Sequence, residues 1–155
     1  MARKSKQGPL AEASTAEHPF GKCLYFTANA VARHLSKLAD EAIAPTGLCP
    51  SGALLLKLVT DRPGIAPSEA AEVLHLAPSS VTRFADGLER KGLVERQQVG
   101  RQMLLHPTAA GKKKLRDVQS SWETLYESYS SQVGVRRSEK LASELCDAVQ
   151  RLARD

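Results

Sequence analysis

Aromatic residues are scarce: three Phe, three Tyr and one Trp make up 5% of the chain. The apolar residues are mostly Leu, Ala and Val. That mix suits helices packed on helices, because a large sheet draws on β-branched and aromatic side chains. Cysteine is also rare. Cys23, Cys49 and Cys146 lie far apart, form no CxxC pair and have no histidine cluster beside them. Neither a zinc site nor a disulfide framework is signalled. No apolar run approaches about 18 residues, so no membrane span is expected. The first nine residues are basic, but no hydrophobic signal region follows them. The expected location is therefore the cytoplasm. No nucleophile–base pair, metal spacing or phosphate loop is visible, so neither an enzyme nor a bound cofactor is expected.

Acidic residues are missing from one stretch. Between Arg101 and Arg116 lie Lys112, Lys113 and Lys114, with no Asp or Glu. Acids return at Asp117, Glu123, Glu127 and Glu139. A formal charge of +5 over 155 residues is compatible with nucleic acid. Its distribution predicts one electropositive end. The length fits one compact domain, or one small domain with dimerising arms.

Residues 1 to 18 carry no periodic apolar stripe and read as a mobile tail. From about Lys22 to Ala44, the residues Leu24, Ala28, Val31, Leu35, Leu38 and Ala42 recur at three- and four-residue spacings, which predicts a helix. Pro45, Thr46 and Gly47 end it. Pro50 opens a second helix, with Leu54, Leu55, Leu58 and Val59 on its expected buried side. Asp61-Arg62-Pro63-Gly64 reads as a turn.

Two short helices follow, each opening with the same tripeptide: Ala66-Pro67-Ser68 and Ala77-Pro78-Ser79. Proline suits a first helical turn because its missing N–H would be unpaired there. The second of these helices runs to about Lys91, where Gly92 stops it. Leu93 to Gln98 and Gln102 to His106 read as two strands joined by Val99-Gly100-Arg101. Thr108 can cap a long helix bearing Leu115, Val118, Trp122, Leu125, Tyr129 and Val133, broken by Gly134. Ser138 can cap a last helix with Leu141, Leu145, Ala148 and Leu152 on one side.

Residues 66 to 106 carry the chemistry. Two short helices at a steep angle need small residues where they cross, here Ala70 and Ala71, and apolar residues that lock the angle. Leu74 and Leu76 flank the turn, and Val81 and Phe84 point back from the second helix. His75 takes the turn position, and histidine is among the residues better able to adopt a positive φ. In a helix-turn-helix the second helix enters the major groove. Its candidate DNA-binding residues are Pro78, Ser79, Ser80, Thr82 and Arg83, with Ser68 at the start of the preceding helix. Hydroxyls and helix-start N–H groups can hold phosphate oxygens. Arg83 can reach a guanine edge through two hydrogen bonds. Arg90 and Lys91 are placed to touch the backbone. By itself such a set is more often a solvated helix face. The hairpin that follows favours the DNA reading, with Arg101 and Gln102 at a tip able to enter the minor groove. The alternative there is a tight turn with a solvated cation.

The run Ala77 to Arg83, followed by Gly87 to Arg96, resembles the recognition helix and first wing strand of MarR-family regulators. Leu104 to Gly111 is similar to their second strand and the "LTxxG" start of the next helix. The resemblance spans residues 22 to 155. It implies a mainly α fold with a small β-hairpin wing, a winged helix-turn-helix with N- and C-terminal dimerisation helices. It divides the chain into a dimerisation helix (residues 19–47), a DNA-binding lobe (residues 48–110) and two further dimerisation helices (residues 111–155). One departure is plain: such wings often carry an acid near the tip arginine, and Val99-Gly100-Arg101 has none.

The implied function is a homodimeric regulator of transcription, a repressor, on a pseudo-palindromic site of double-stranded DNA. The apolar stripes of the last two helices support a dimer independently, because they exceed what one small winged domain can cover. A two-fold pair would set the recognition helices about 34 Å apart. The competing reading is a winged-helix protein-interaction module without DNA binding. The resemblance also implies release by a small molecule or an oxidant. Cys23, at a helix start, and nearby Tyr25 are candidates for the redox site, with a small hydrophobe at the dimer interface as the alternative. His34 could line an effector pocket or simply be a satisfied interface residue.

Overall fold

The structure is a computed structural model that describes residues 18–153. The expected tail lies outside the described residues except for His18. Helix α1 spans Leu24–Ile43, and a short 3-10 turn, Ala44–Thr46, follows it. Then come α2 (Pro50–Asp61), α3 (Pro67–Val73) and α4 (Pro78–Arg90). Strands β1 (Val94–Val99) and β2 (Gln102–Pro107) form one antiparallel hairpin, and α5 (Ala109–Val133) and α6 (Val135–Leu152) complete the order. This is the expected succession of elements. No single helix among the described residues is long and apolar enough to cross a membrane.

The core gathers around α2. Leu55, Leu56 and Val59 are fully buried there, packed with Ile43, Val81, Leu88, Leu105 and Val118. Each such aliphatic side chain contributes about 1.5–3 kcal/mol on leaving water. Leu54 was expected on the buried side, but it is 42% exposed, and Leu56 takes the inward position. At 100° per residue, three consecutive leucines cannot all face one way, and the register was set by the neighbours.

Before Lys37, the chain has contacts of its own. The rings of His18, Phe20 and Phe26 cluster, with His18 stacked on Phe26 at 4.8 Å. Leu24, Val31 and Leu35 of α1 are exposed in the single chain. From Lys37 onward, α1 reaches buried Ala39 and Ile43. Thr46 closes it by donating its hydroxyl to the Ile43 carbonyl, at 2.7 Å. Gly47, at φ 73°, supplies the left-handed turn that redirects the chain.

Two terminal details differ from expectation. Ser138 does not cap α6: the helix starts at Val135, and Ser138 lies inside it, donating to the Val135 carbonyl at 2.8 Å. A serine in a helix can satisfy its hydroxyl by such back-bonding as readily as it caps. Pro107 is the last residue of β2, one beyond the expected end at His106, opposite Val94 at the hairpin base. An end position of a ladder does not need the N–H that proline lacks.

Candidate DNA-binding interface

The interface is built from the α3–α4 angle. Ala70 and Ala71 are buried where α4 crosses α3, opposite Val81 and Ala85. Helix α3 ends in a Schellman cap. The N–H of Leu76 donates to the Ala71 carbonyl at 3.0 Å and that of His75 to the Glu72 carbonyl at 3.2 Å. Between them, His75 adopts φ 50°, the one positive φ outside glycine among the described residues. The expectation for the turn position therefore holds. Helix α4 ends in the same way: Gly92 at φ 67° donates to Glu89, and Leu93 donates to Leu88 at 3.0 Å. Leu93 is buried and feeds directly into β1.

Helix α4 is strongly two-sided. Val81, Ala85 and Leu88 form its buried stripe. Ser79, Arg83, Asp86 and Arg90 share the opposite face at helical spacing. Pro78, Ser79, Thr82, Arg83, Arg90 and Lys91 are exposed, and Ser80 is half-buried. No side chain caps the start of α4, so the positive end of its dipole is left for an anion. The Thr82 hydroxyl donates to the Pro78 carbonyl at 3.1 Å, which leaves its lone pairs as acceptors. The Arg83 guanidinium sits 5.2 Å from the centre of the Phe84 ring, and that ring packs on the core. The contact steadies a long cation without neutralising it. Ser68 is exposed in the first turn of α3.

The hairpin turns on Gly100-Arg101, because the strands extend to Val99 and Gln102. The joining loop is one residue shorter than the sequence suggested. Gly100 takes φ 62° and Arg101 does not take a positive φ, the order of a type II′ turn. Arg101 and Gln102 are exposed at the tip. Among the described residues, Arg83, Arg90, Lys91 and Arg101 have no carboxylate within salt-bridge distance.

The base of the wing is tied to the helices on both sides. Ile65 forms an isolated antiparallel bridge with Leu105. Thr108 donates its hydroxyl to the Gly92 carbonyl at 2.6 Å, accepts from the Gly111 N–H at 3.0 Å, and donates its own N–H to Leu93 at 3.1 Å. The expected cap of α5 thus also holds the end of α4.

Arg96, the last residue of the Gly87–Arg96 run, has a role that the run itself does not announce. It lies opposite Leu105 and shares that face of the hairpin with buried Val94. Its guanidinium reaches Asp86 at 2.5 Å and Glu89 at 2.6 Å, both on α4. A cation at an inward strand position, downstream of two acids one helical turn apart, is the signal that could have revealed it.

The redox and effector candidates are not brought into one site. Cys23 is exposed and precedes the first turn of α1, with its carbonyl accepting from the Thr27 N–H at 3.0 Å. Tyr25 is 80% exposed, and His34 is exposed on the same helix. Cys49 has a local duty: its sulfur caps α2 by accepting from the Gly52 N–H at 3.4 Å. An open groove of about 500 Å³ lies between α2 and α5, lined by Leu54, Lys57, Gln119, Trp122 and Glu123.

Residues 50–99 match the model of the MarR family. A search of curated protein sequences finds no significant match. Solved structures match over most of their length. A MarR-family transcriptional regulator from Rhodococcus sp. RHA1 is 22% identical, with 89% of this chain and 98% of that chain covered and a TM-score of 0.73. CouR from Rhodococcus jostii RHA1, bound to p-coumaroyl-CoA, is 21% identical over 92% of this chain and 96% of that one, with a TM-score of 0.72. MepR of S. aureus, in complex with DNA, is 18% identical over 83% of this chain and 97% of that one, with a TM-score of 0.70.

Proposed function

We propose that this chain, with MarR-family sequence at residues 50–99 on the MarR winged-helix fold, is a homodimeric, sequence-specific regulator of transcription that binds double-stranded DNA. One observation carries the reading: the exposed stripe of α4 and the wing tip present Arg83, Arg90 and Arg101 without acidic partners among the described residues. Ser68, Pro78, Ser79, Ser80, Thr82, Lys91 and Gln102 complete the contact set. Arg83 reads a base edge from the major groove, while Arg101 enters the flanking minor groove. The structural relative MepR has been solved with DNA, which supports this use of the fold.

Dimerisation rests on leftover apolar surface. Leu24, Val31 and Leu35 of α1 are exposed, and so are Leu141, Leu145, Val149 and Leu152 of α6. So many exposed large aliphatics on amphipathic helices are typical of a partner-facing surface. The dimer would use α1, α5 and α6, and the lobe between them would hold the DNA. A repressor released by a small molecule, or by oxidation of Cys23, is the finer reading. CouR bound to p-coumaroyl-CoA and the groove beside Trp122 support the first route; an exposed thiol supports the second.

The test is selection of bound duplexes from a random pool, followed by titration against salt, with and without peroxide. The expected products are imperfect palindromes, with log K falling steeply against log salt. No enriched duplex and no salt slope would replace DNA binding with the protein-interaction module.

A further inference from the structure

We infer that Arg96 is a positioning residue for DNA recognition: by gripping Asp86 and Glu89, it sets the angle between wing and recognition helix and so where Arg101 meets the duplex. The inference rests on the reading of α4 and the hairpin as the DNA-binding pair. Beyond its base the wing is thinly anchored. At its base, Val94 and Leu105 are buried. Beyond the Arg96–Leu105 pair, Gln97, Gln98, Val99, Gln102 and Met103 are all exposed. The tip has no acid beside Arg101, so no carboxylate there orients the arginine. The last charged tie before solvent is Arg96, whose side chain is 23% exposed and bonded to two carboxylates on α4.

The lever is substantial. From Arg96 to the turn is about 13 Å of strand, so a tilt of about 10° at Arg96 moves the tip by about 2 Å. That distance separates a made hydrogen bond from a lost one. The planar fork can hold both carboxylates at once and fix direction as well as distance, which a lysine ammonium cannot do.

The experiment is a double-mutant cycle on the full-length chain, using the selected duplex and reading affinity, salt slope and hydroxyl-radical protection. Arg101→Ala alone and Arg96→Met alone should each weaken binding about tenfold, with protection lost over the flanking minor grooves and kept at the centre. In the Arg101→Ala background, Arg96→Met should cost less than twofold more, because there is no tip arginine left to position. Arg96→Lys keeps the charge and is the variant to use if Arg96→Met unfolds, as far-UV circular dichroism would report. It should cost about threefold alone and nothing measurable in the Arg101→Ala background. Penalties that simply multiply, or an Arg96→Met protein that binds like the parent, would overturn the positioning role. Absence of any salt-dependent binding by the parent chain would instead remove the DNA reading beneath it.

Discussion

Replacing Gly111 by alanine probes the joint on which the wing depends. A Cβ at residue 111 would lie 2.0 Å from the Leu93 carbonyl oxygen, 3.0 Å from the Leu93 carbonyl carbon and 3.4 Å from Leu56 Cδ1. The first two are backbone atoms and cannot swing aside. Relief requires α5 to move away from the α4–β1 connection by about 1 Å or more, because non-bonded heavy atoms settle near 3.5–4.0 Å. That motion pulls on the three hydrogen bonds of Thr108, which hold Gly92, Leu93 and Gly111. Overpacking of this kind costs about 1–3 kcal/mol. A weakened helix cap adds about 1 kcal/mol, and alanine's better helix propensity returns up to about 1 kcal/mol. The net expectation is a loss of about 2 kcal/mol, a fall in Tm of roughly 4–8 °C for a chain of this size. Urea unfolding followed by circular dichroism measures it. Gly87→Ala is the control: it lies inside α4 with nothing within 4 Å of the added methyl, and it should stabilise by about 0.5–1 kcal/mol. A Gly111→Ala protein as stable as the Gly87→Ala protein would refute the close-approach argument.

His75→Gly relieves the positive φ at the helix-turn-helix turn and should raise stability by about 0.5 kcal/mol, seen as a shift of the urea midpoint; a lower midpoint would show that the histidine side chain matters more than its backbone. Arg83→Ala should relax base preference at one position of each half-site, while Arg101→Ala should weaken most sequences alike and reduce the salt slope by about one; competition binding on variant duplexes separates the two. Cys23→Ser should abolish release from DNA by peroxide, and an unchanged response would exclude Cys23 as the sensor. Partial burial, then the charge and hydrogen bond of Glu139, raise the Tyr126 phenol above its usual 10.0. Because the folded value is the higher one, that contribution to stability is present below pH 10 and is lost as pH rises through the folded value. Glu139→Gln should move the phenolate absorbance transition back toward the ordinary range.

Local chemistry made much of the interface legible. Proline after alanine, twice, marked the starts of α3 and α4, and both begin where the first-turn rule puts them. His75 and Gly92 were placed by a single requirement, a left-handed residue at a helix end. Thr108 was legible as a cap because its hydroxyl bonds within its own turn, three residues on. Arg83 and Arg101 were legible as exposed cations for the same reason: their neighbours in sequence fix the helix face and the hairpin tip.

Contacts between elements were not legible in that way. The inward leucine of the Leu54-Leu55-Leu56 run depended on how α2 sits against its neighbours. Ser138 offered two uses for one hydroxyl, and the backbone break at Gly134 chose the second. The pairing of Arg96 with Asp86 and Glu89 joins a strand to a helix through the hairpin register, and no local periodicity encodes that register. The tightness around Gly111 is likewise a meeting of two backbones. Sequence by itself determined the elements, most of their ends and the exposed charges, because propensity, capping and periodicity act within a few residues. Only the tertiary structure decided how the hairpin is held to α4, because that depends on which distant groups packing brings within bonding distance.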